Sequence, residues 1–346
     1  MSFKLDKCPE NPILTAKEDS DWENLGVLNP ACIYEDGTFW LFYRAAADDE
    51  EHTISLGLAK STDGVHFERC FDHPILSPSK DGPDGNGVED PRVVKMNGWY
   101  YMTYAARSFP TGKYWLPKDQ RRDYFYDPAP LDGPRSIVTN DSITYLAISK
   151  DMVNWRKLGR MTDSRHDDRD AFIFPEKING KYVMLSRSQN RVGEEYGCKV
   201  PSIWISYSND LLEWDNYKLL CTAKEDWEAK KIGGSTPPIK TDKGWLFLYH
   251  GVAAKDEGGD YCVGAMLLDL DNPEKILART KEPIMVPEHS YETEGFYCGC
   301  VFPTGAVVVE DTLYVYYGSA DKYCCQATCK LSELLNYLVE ECGFEK

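Results

Sequence analysis

The sequence predicts an all-β fold, a five-bladed β-propeller with a C-terminal helix, formed as one domain over residues 1–346. Three observations predict it. An aromatic-rich strand signal recurs five times, a β-prone segment containing proline precedes each copy, and the copies fall at intervals of about 60 to 80 residues. That spacing is too wide for a simple sandwich and suits blades of four strands plus loops.

In chain order the repeated strands are DGTFWLFYRA (36–45), NGWYYMTYAA (97–106), NGKYVMLSRS (179–188), KGWLFLYHGV (243–252) and DTLYVYYGSA (311–320). Each reads as a turn followed by a strand rich in Tyr, Trp, Val and Leu. The segments before them are LNPACIY (28–34), EDPRVVK (89–95), IFPEKI (173–178), TPPIKT (236–241) and VFPTGAVV (301–308). STDGVHF (61–67), SKDMVNW (149–155) and SNDLLEW (208–214) share Ser-x-Asp with an aromatic four residues after the Asp. This pattern predicts a turn between outer strands, with the aromatic packed between blades. The C-terminal helix is LSELLNYLVEEC (331–342), with Leu331, Leu334, Leu335 and Leu338 on one face and Ser332 as its expected cap.

The net charge of −17 argues against a nucleic-acid partner, because binding a polyanion takes clustered cations; it leaves room for a small anion in a basic pocket. No stretch approaches the ~20 apolar residues of a membrane span. The start, MSFKLDKCPENP, lacks the apolar run of a signal peptide. The twelve cysteines, among them Cys32, Cys198, Cys221 and Cys262 in predicted strands, show no metal-ligand spacing. Reduced thiols in a cytoplasmic protein are the expectation.

In a propeller the first strand of each blade lines a central channel, so polar residues in the proline-containing segments converge there. These are Asn29, then Glu89, Asp90 and Arg92, then Arg169 and Asp170, then Lys231. The strands that follow offer Arg44, Arg187 and His250 at equivalent register, and the fifth repeat offers Asp321. A carboxylate at the mouth of a pocket can act as general acid, and a ring of Arg and Lys can hold an oxyanion. The competing reading is a set of salt bridges tying blades together.

The strings GVEDPRVVKMNGWYYMTY, RDAFIFPEKINGKYVMLSR, KIGGSTPPIKTDKGWLFLYHGV, VGAMLLDLDNPEKILARTKEPIMVPE and YYGSAD resemble glycoside hydrolase family 130, the β-mannoside phosphorylases and related β-mannosidases. The resemblance covers nearly the whole chain and implies a five-bladed propeller. It also implies an inverting phosphorolysis of a terminal β-mannosidic bond, with inorganic phosphate as co-substrate and no cofactor or metal. Asp90 then matches the general acid, and Arg169, Arg187, Lys231 and His250 the phosphate site. Asn29, Arg44 and Asp321 match contacts to the mannosyl unit. Glu89 either touches the sugar or orients Arg44 or Arg92, and Phe302 is either a sugar wall or core. The implied substrate is a β-manno-oligosaccharide, with β-1,2 linkage slightly favoured over β-1,4 by the GVEDPR and FPEKINGKY strings. A homo-oligomer is implied too.

Two features depart from the family pattern. Arg187-Ser188-Gln189 stands where many members have Arg-Pro-Ser, and the segment from Arg107 to Ser142 is long. The latter carries Phe109, Tyr114, Trp115, Arg121, Arg122, Tyr124, Phe125 and Tyr126, suited either to stacking on acceptor sugars or to packing on the protein itself or a second subunit. Rival functions are a β-mannosidase using water, a non-catalytic glycan-binding propeller, and a furanoside-cleaving five-bladed enzyme with three channel carboxylates. The cation set argues against the first and the last.

Overall fold

The structure, a computed structural model, describes residues 2–79, 82, 84–122, 124, 139–163, 165–254 and 258–344. Antiparallel strands in chain succession build five groups. The first holds Gly26–Glu35, Thr38–Ala46, Ile54–Ser61 and Glu68–Arg69. The second holds Val88–Met96, Trp99–Arg107, Ser142–Ser149 and Arg156–Arg160. The third holds Asp168–Ile173, Tyr182–Ser188, Ile203–Ser208 and Trp214–Cys221, and one parallel pairing, Asp168 with Ile143, joins it to the second. The fourth holds Lys231–Gly234, Trp245–Val252, Tyr261–Leu268 and Ile276–Arg279, with Ile239–Lys240 beside Trp245–Val252. In the fifth, Val301–Val309, Thr312–Ser319 and Tyr323–Lys330 are completed by Asp6–Lys7 from the start of the chain. The first and second strands of three groups join through Asp36-Gly37, Asn97-Gly98 and Asn179-Gly180, both residues of each pair at positive φ, as a tight hairpin demands.

Five apolar clusters fill the spaces between neighbouring groups. Phe42 and Tyr104 share one, Val94 and Ile173 the next, Phe172 and Phe247 the third, and Leu248 and Tyr317 the fourth. The fifth brings Tyr43 of the first group against Tyr316 of the last. First strands of neighbouring groups pack on one another, and Ile33, Val94, Pro175, Pro238 and Gly305 line a small pocket among them. Of the aromatics after Ser-x-Asp, Phe67 meets Tyr316 edge-on at 5.7 Å and Trp155 meets Phe42 at 5.8 Å, each across groups. The Ser and Asp hydroxyl and carboxylate oxygens hold the turns, as at Ser61 and Asp63.

One device recurs in four groups. A tyrosine on the second strand donates its hydroxyl to a buried acid in the preceding loop, and a cation on the outermost strand binds the same acid. The sets are Tyr43, Glu23 and Arg69; Tyr104, Asp84 and Lys157; Tyr249, Glu228 and Arg279; and Tyr317, Glu292 and Lys7. Each clasp thus ties a loop, the centre and the edge of its group with charge-assisted bonds. Among the described residues the third group lacks it.

Four expectations need correction. The third first strand is Asp168–Ile173, so Pro175 of IFPEKI lies beyond it. In the fourth group Pro237 and Pro238 fall in a gap between Gly234 and Ile239, since proline cannot donate to the ladder. The C-terminal helix, Leu331–Glu341, does bury Leu334, Leu335 and Leu338, but Ser332 is not its cap. Its N–H and hydroxyl both donate to the Asp311 carboxylate, at 2.9 and 2.7 Å. Cys198 also lies outside the strands, and all twelve cysteines are free thiols. Among the described residues no helix is long and apolar enough to cross a membrane.

Candidate active site

The site begins with three bulges. Register slips between Leu28 and Ala31, between Glu89 and Arg92, and between Arg169 and Phe172. At the slips Asn29, Asp90 and Asp170 take positive φ of 46°, 51° and 54°. Asn and Asp are the residue types that tolerate this region, and a bulge re-aims the side chain it carries. On the second strands Arg44 lies opposite Leu28, Arg187 opposite Arg169 and His250 opposite Gly233, the equivalent register that the repeats predict. Two glycines make room. A Cβ on Gly233 would stand 2.5 Å from His250 Cε1 and 2.7 Å from Asp170 Oδ2, and one on Gly318 would stand 1.8 Å from Asn29 Oδ1.

These elements enclose a cavity of about 310 Å³. Asn29, Arg44, Glu89, Asp90, Arg169, Arg187, Lys231, His250, Phe302 and Asp321 all line it. Each of the five groups therefore contributes to one pocket.

At one wall Asp90 Oδ1 accepts from Asn29 Nδ2 at 2.7 Å and from Arg44 Nη1 at 3.1 Å. Glu89 faces Arg44 Nη1 at 3.4 Å and accepts from Arg107 Nε at 2.8 Å. Burial would raise the Glu89 carboxyl, but Arg107, Arg44 and Arg169 outweigh it and hold it at about 2. Glu89 is thus a fixed anion that orients Arg44 and Arg107, while Arg92 turns elsewhere, to the Asp90 and Ser235 carbonyls and to Asp170.

Three further lining residues are cationic. Arg169 is held by Asp167 in a two-bond fork at 2.9 and 2.6 Å. Arg187 Nε donates to Asp170 Oδ2 at 2.8 Å. Lys231 has no carboxylate within salt-bridge reach among the described residues and sits 4.8 Å over the Tyr261 ring. Burial, with Arg187 and Arg169 adding repulsion, brings the Lys231 ammonium down to about 7. His250 is fully buried between Tyr261 and Phe302, with Nδ1 3.2 Å from Ser235 Oγ. Burial lowers it to about 3 despite Asp170, so it is a neutral imidazole.

Phe302, 7 % exposed, presents its ring to the cavity and to Arg92 at 5.5 Å, so it is a wall as well as core. The roof comes from the long segment after Arg107. Tyr114 donates to Asp321 Oδ2 at 2.9 Å, and burial raises the Asp321 carboxyl against the pull of Arg44. Lys113 binds Asp48, Arg122 binds Glu50, and Tyr124 donates to the Glu50 carbonyl, strapping this segment over the first group. Trp115 packs on Phe296 and His52 instead of standing free for a sugar. Phe125 and Tyr126 lie outside the described residues.

Arg107, Thr111, Tyr114, Asn140, Tyr261, Tyr297 and Cys300 also line the cavity. Tyr114 belonged to a segment marked by its aromatics; the others carry no signal, because they sit in loops or at strand ends outside the repeated strings. Among the described residues no group of three or more His, Cys, Asp or Glu is arranged to hold a metal.

The sequence profile of glycoside hydrolase family 130, described as beta-1,4-mannooligosaccharide phosphorylase, matches residues 4–117 and 138–340. The chain belongs to this family. It is 38% identical over 325 residues to a 1,2-beta-oligomannan phosphorylase of Thermoanaerobacter sp. (strain X514), spanning 92% of this chain and 95% of the relative. It is 38% identical over 333 residues to a beta-1,2-mannobiose phosphorylase of the same organism, spanning 93% and 95%. Among solved structures, the beta-1,2-mannobiose phosphorylase from Listeria innocua in complex with beta-1,2-mannobiose superposes with a TM-score of 0.76 at 27% identity, over 97% of this chain and 99% of that one.

Proposed function

We propose that this family-130 protein is an inverting β-mannoside phosphorylase acting on β-1,2-linked manno-oligosaccharides. The observation that carries the reaction type is the enclosure of Asp90 with Arg169, Arg187 and Lys231 in one cavity. A hydrolase needs a base to activate water, usually a second carboxylate on the far side of the sugar. Here Arg169, Arg187 and Lys231 share the cavity with Asp90, a set that suits a phosphate nucleophile. The linkage rests on the two relatives at 38% identity, both named for β-1,2 substrates. The profile's own description names β-1,4, but relatives of this chain are named for both β-1,2 and β-1,4 substrates.

In this reading a phosphate oxygen, held by Arg169, Arg187, Lys231 and neutral His250, attacks the anomeric carbon of the terminal mannosyl unit. The C1–O bond breaks as the new C1–O–P bond forms on the opposite face. The proton of Asp90 passes to the leaving oxygen, directly or through a mannosyl hydroxyl. The products are α-mannose 1-phosphate and an acceptor shortened by one unit. Asn29, Arg44, Glu89, Phe302 and Asp321 shape the mannosyl site. A cavity of about 310 Å³ is at the small end for ligand pockets, which suits one sugar unit beside one phosphate and leaves the acceptor outside.

The five strand groups, with a core cluster between each neighbouring pair and the last against the first, support a five-bladed propeller closed by Asp6–Lys7 as a single catalytic domain. Twelve free thiols suit the cytoplasm. The deciding experiment is reverse phosphorolysis with α-mannose 1-phosphate and a panel of acceptors. A β-1,2-mannoside product is expected; mannose release at equal rates with and without phosphate in the forward direction would replace this reading with hydrolysis.

A further inference from the structure

The third group replaces the clasp that the other four share. Where they have tyrosine it has Ser186, opposite Trp204. The acid is Asp168, fully buried and carried on the first strand itself. Its Oδ2 accepts from Ser186 Oγ at 3.4 Å and lies 3.9 Å from Arg191 Nη1, beyond hydrogen-bond reach. Asp168 Oδ1, Arg191 Nη1, Trp204 Nε1 and Ser206 Oγ are buried without a hydrogen-bond partner among the described residues. Arg191 is instead held over the Tyr217 ring at 3.9 Å and near Trp204 at 5.6 Å. It reaches this place through a turn in which Ser188 Oγ accepts the N–H groups of Asn190 and Arg191. That turn is where Ser188-Gln189 departs from the family pattern.

As Tyr43 stands behind Arg44 and Tyr249 behind His250, so the acid and the serine of this group stand behind cavity residues. Asp168 precedes Arg169, Ser186 precedes Arg187, and side chains alternate across a strand, so the pair sits directly behind the two arginines that line the cavity. We infer that Asp168 and Arg191 are positioning residues for Arg169 and Arg187, an inference that rests on the phosphorylase reading. Arg187 Nη1 is buried without a partner among the described residues, so phosphate can be met by this free N–H while Arg187 keeps Asp170 and Arg169 keeps Asp167. The angle of that guanidinium is set by the strand pair behind it, whose register the Asp168–Arg191 contact holds. Burial pushes the Asp168 carboxyl up to about 7 against the pull of Arg191 and Arg187, with Asp167 and Tyr217 also nearby, which keeps the pair weakly ionic.

The test is Arg191→Met, read by calorimetric binding of inorganic phosphate and by both KM values. Expected is a weakening of phosphate affinity of about tenfold, the scale for removing a group that orients a ligand-holding side chain, with the mannoside KM unchanged. Arg191→Lys should recover part of it. Tyr104→Phe, which cuts an intact clasp in the second group, should lower Tm and leave phosphate affinity alone. Equal loss for both substrates, or a lower Tm with normal phosphate affinity, overturns the inference. Should Arg191→Met fail to fold, Asp168→Asn, which keeps the side-chain shape, is read by the same criteria. Absence of phosphate binding by the unaltered protein would overturn the phosphorylase reading itself, and the inference with it.

Discussion

Asn29 and Asp90, 61 residues apart, share a 2.7 Å hydrogen bond and the same left-handed backbone at equivalent bulges of neighbouring strand groups. The bond fixes one carboxylate oxygen of Asp90, as does Arg44. No donor engages Oδ2 among the described residues, so this oxygen is the one open to a ligand.

Asp90→Asn keeps an acceptor for Asn29 and Arg44 but has no proton to give. We expect phosphorolysis to fall by about 10²–10⁴, the usual contribution of a general acid, with Tm and circular dichroism unchanged. Steady-state release of mannose 1-phosphate measures it, and retention of more than a tenth of the rate would remove Asp90 from the acid role.

Asp170 is the counter-charge on which the cationic set depends. Fully desolvated, it would rise, yet Arg187 and Arg92 hold it well below the usual carboxylate range. Asp170→Asn leaves buried guanidinium groups uncompensated and should cost about 3–5 kcal/mol of stability. Because the folded pKa is depressed, the stabilisation is present above the ordinary carboxylate pKa of about 4 and fades as pH falls through it toward the folded value. Urea denaturation of both proteins at pH 7 and at pH 3 should show the gap between them narrowing in acid.

Much of this was legible because the repeat is written twice, in strand composition and in the hairpin pairs Asp36-Gly37, Asn97-Gly98 and Asn179-Gly180. Asn29, Asp90 and the cations could be read because they fall at matching places in those repeats. The clasps could not: Glu23, Asp84, Glu228 and Glu292 lie in segments of unlike sequence, the last two on short helical turns, and their cations lie on short edge strands. Lys7 is worst placed, since its partner Glu292 is 285 residues away. The roof was visible only as aromatics, which did not tell that Tyr114 would reach Asp321 while Trp115 packed inward.

Tyr114→Phe removes that 2.9 Å bond while keeping the ring against His52 and Trp115. Losing one hydrogen bond to a carboxylate is worth about 1.5–3 kcal/mol. If Asp321 grips the mannosyl unit, the mannoside KM should rise about tenfold or more on that scale, with phosphate KM unchanged. A rise in phosphate KM alone would move Asp321 out of the sugar site.

Lys231 makes phosphate use dependent on pH in a way its neighbours do not. Its ammonium is brought down to about 7 by burial and by Arg187 and Arg169, against a smaller pull from Asp170. Below pH 7 the empty site already carries the charge that phosphate needs. Above it the lysine is neutral, and binding phosphate must first return a proton to it. Phosphate affinity should therefore fall by up to about tenfold per unit above pH 7, as linkage of one proton requires. The second ionisation of phosphate falls nearby but is common to every variant. The ratio of phosphate KM in Lys231→Met to that in the parent protein isolates the lysine. That ratio should be large at pH 6 and shrink toward one by pH 9; a ratio flat across this range would show that Lys231 stays charged throughout or does not touch phosphate.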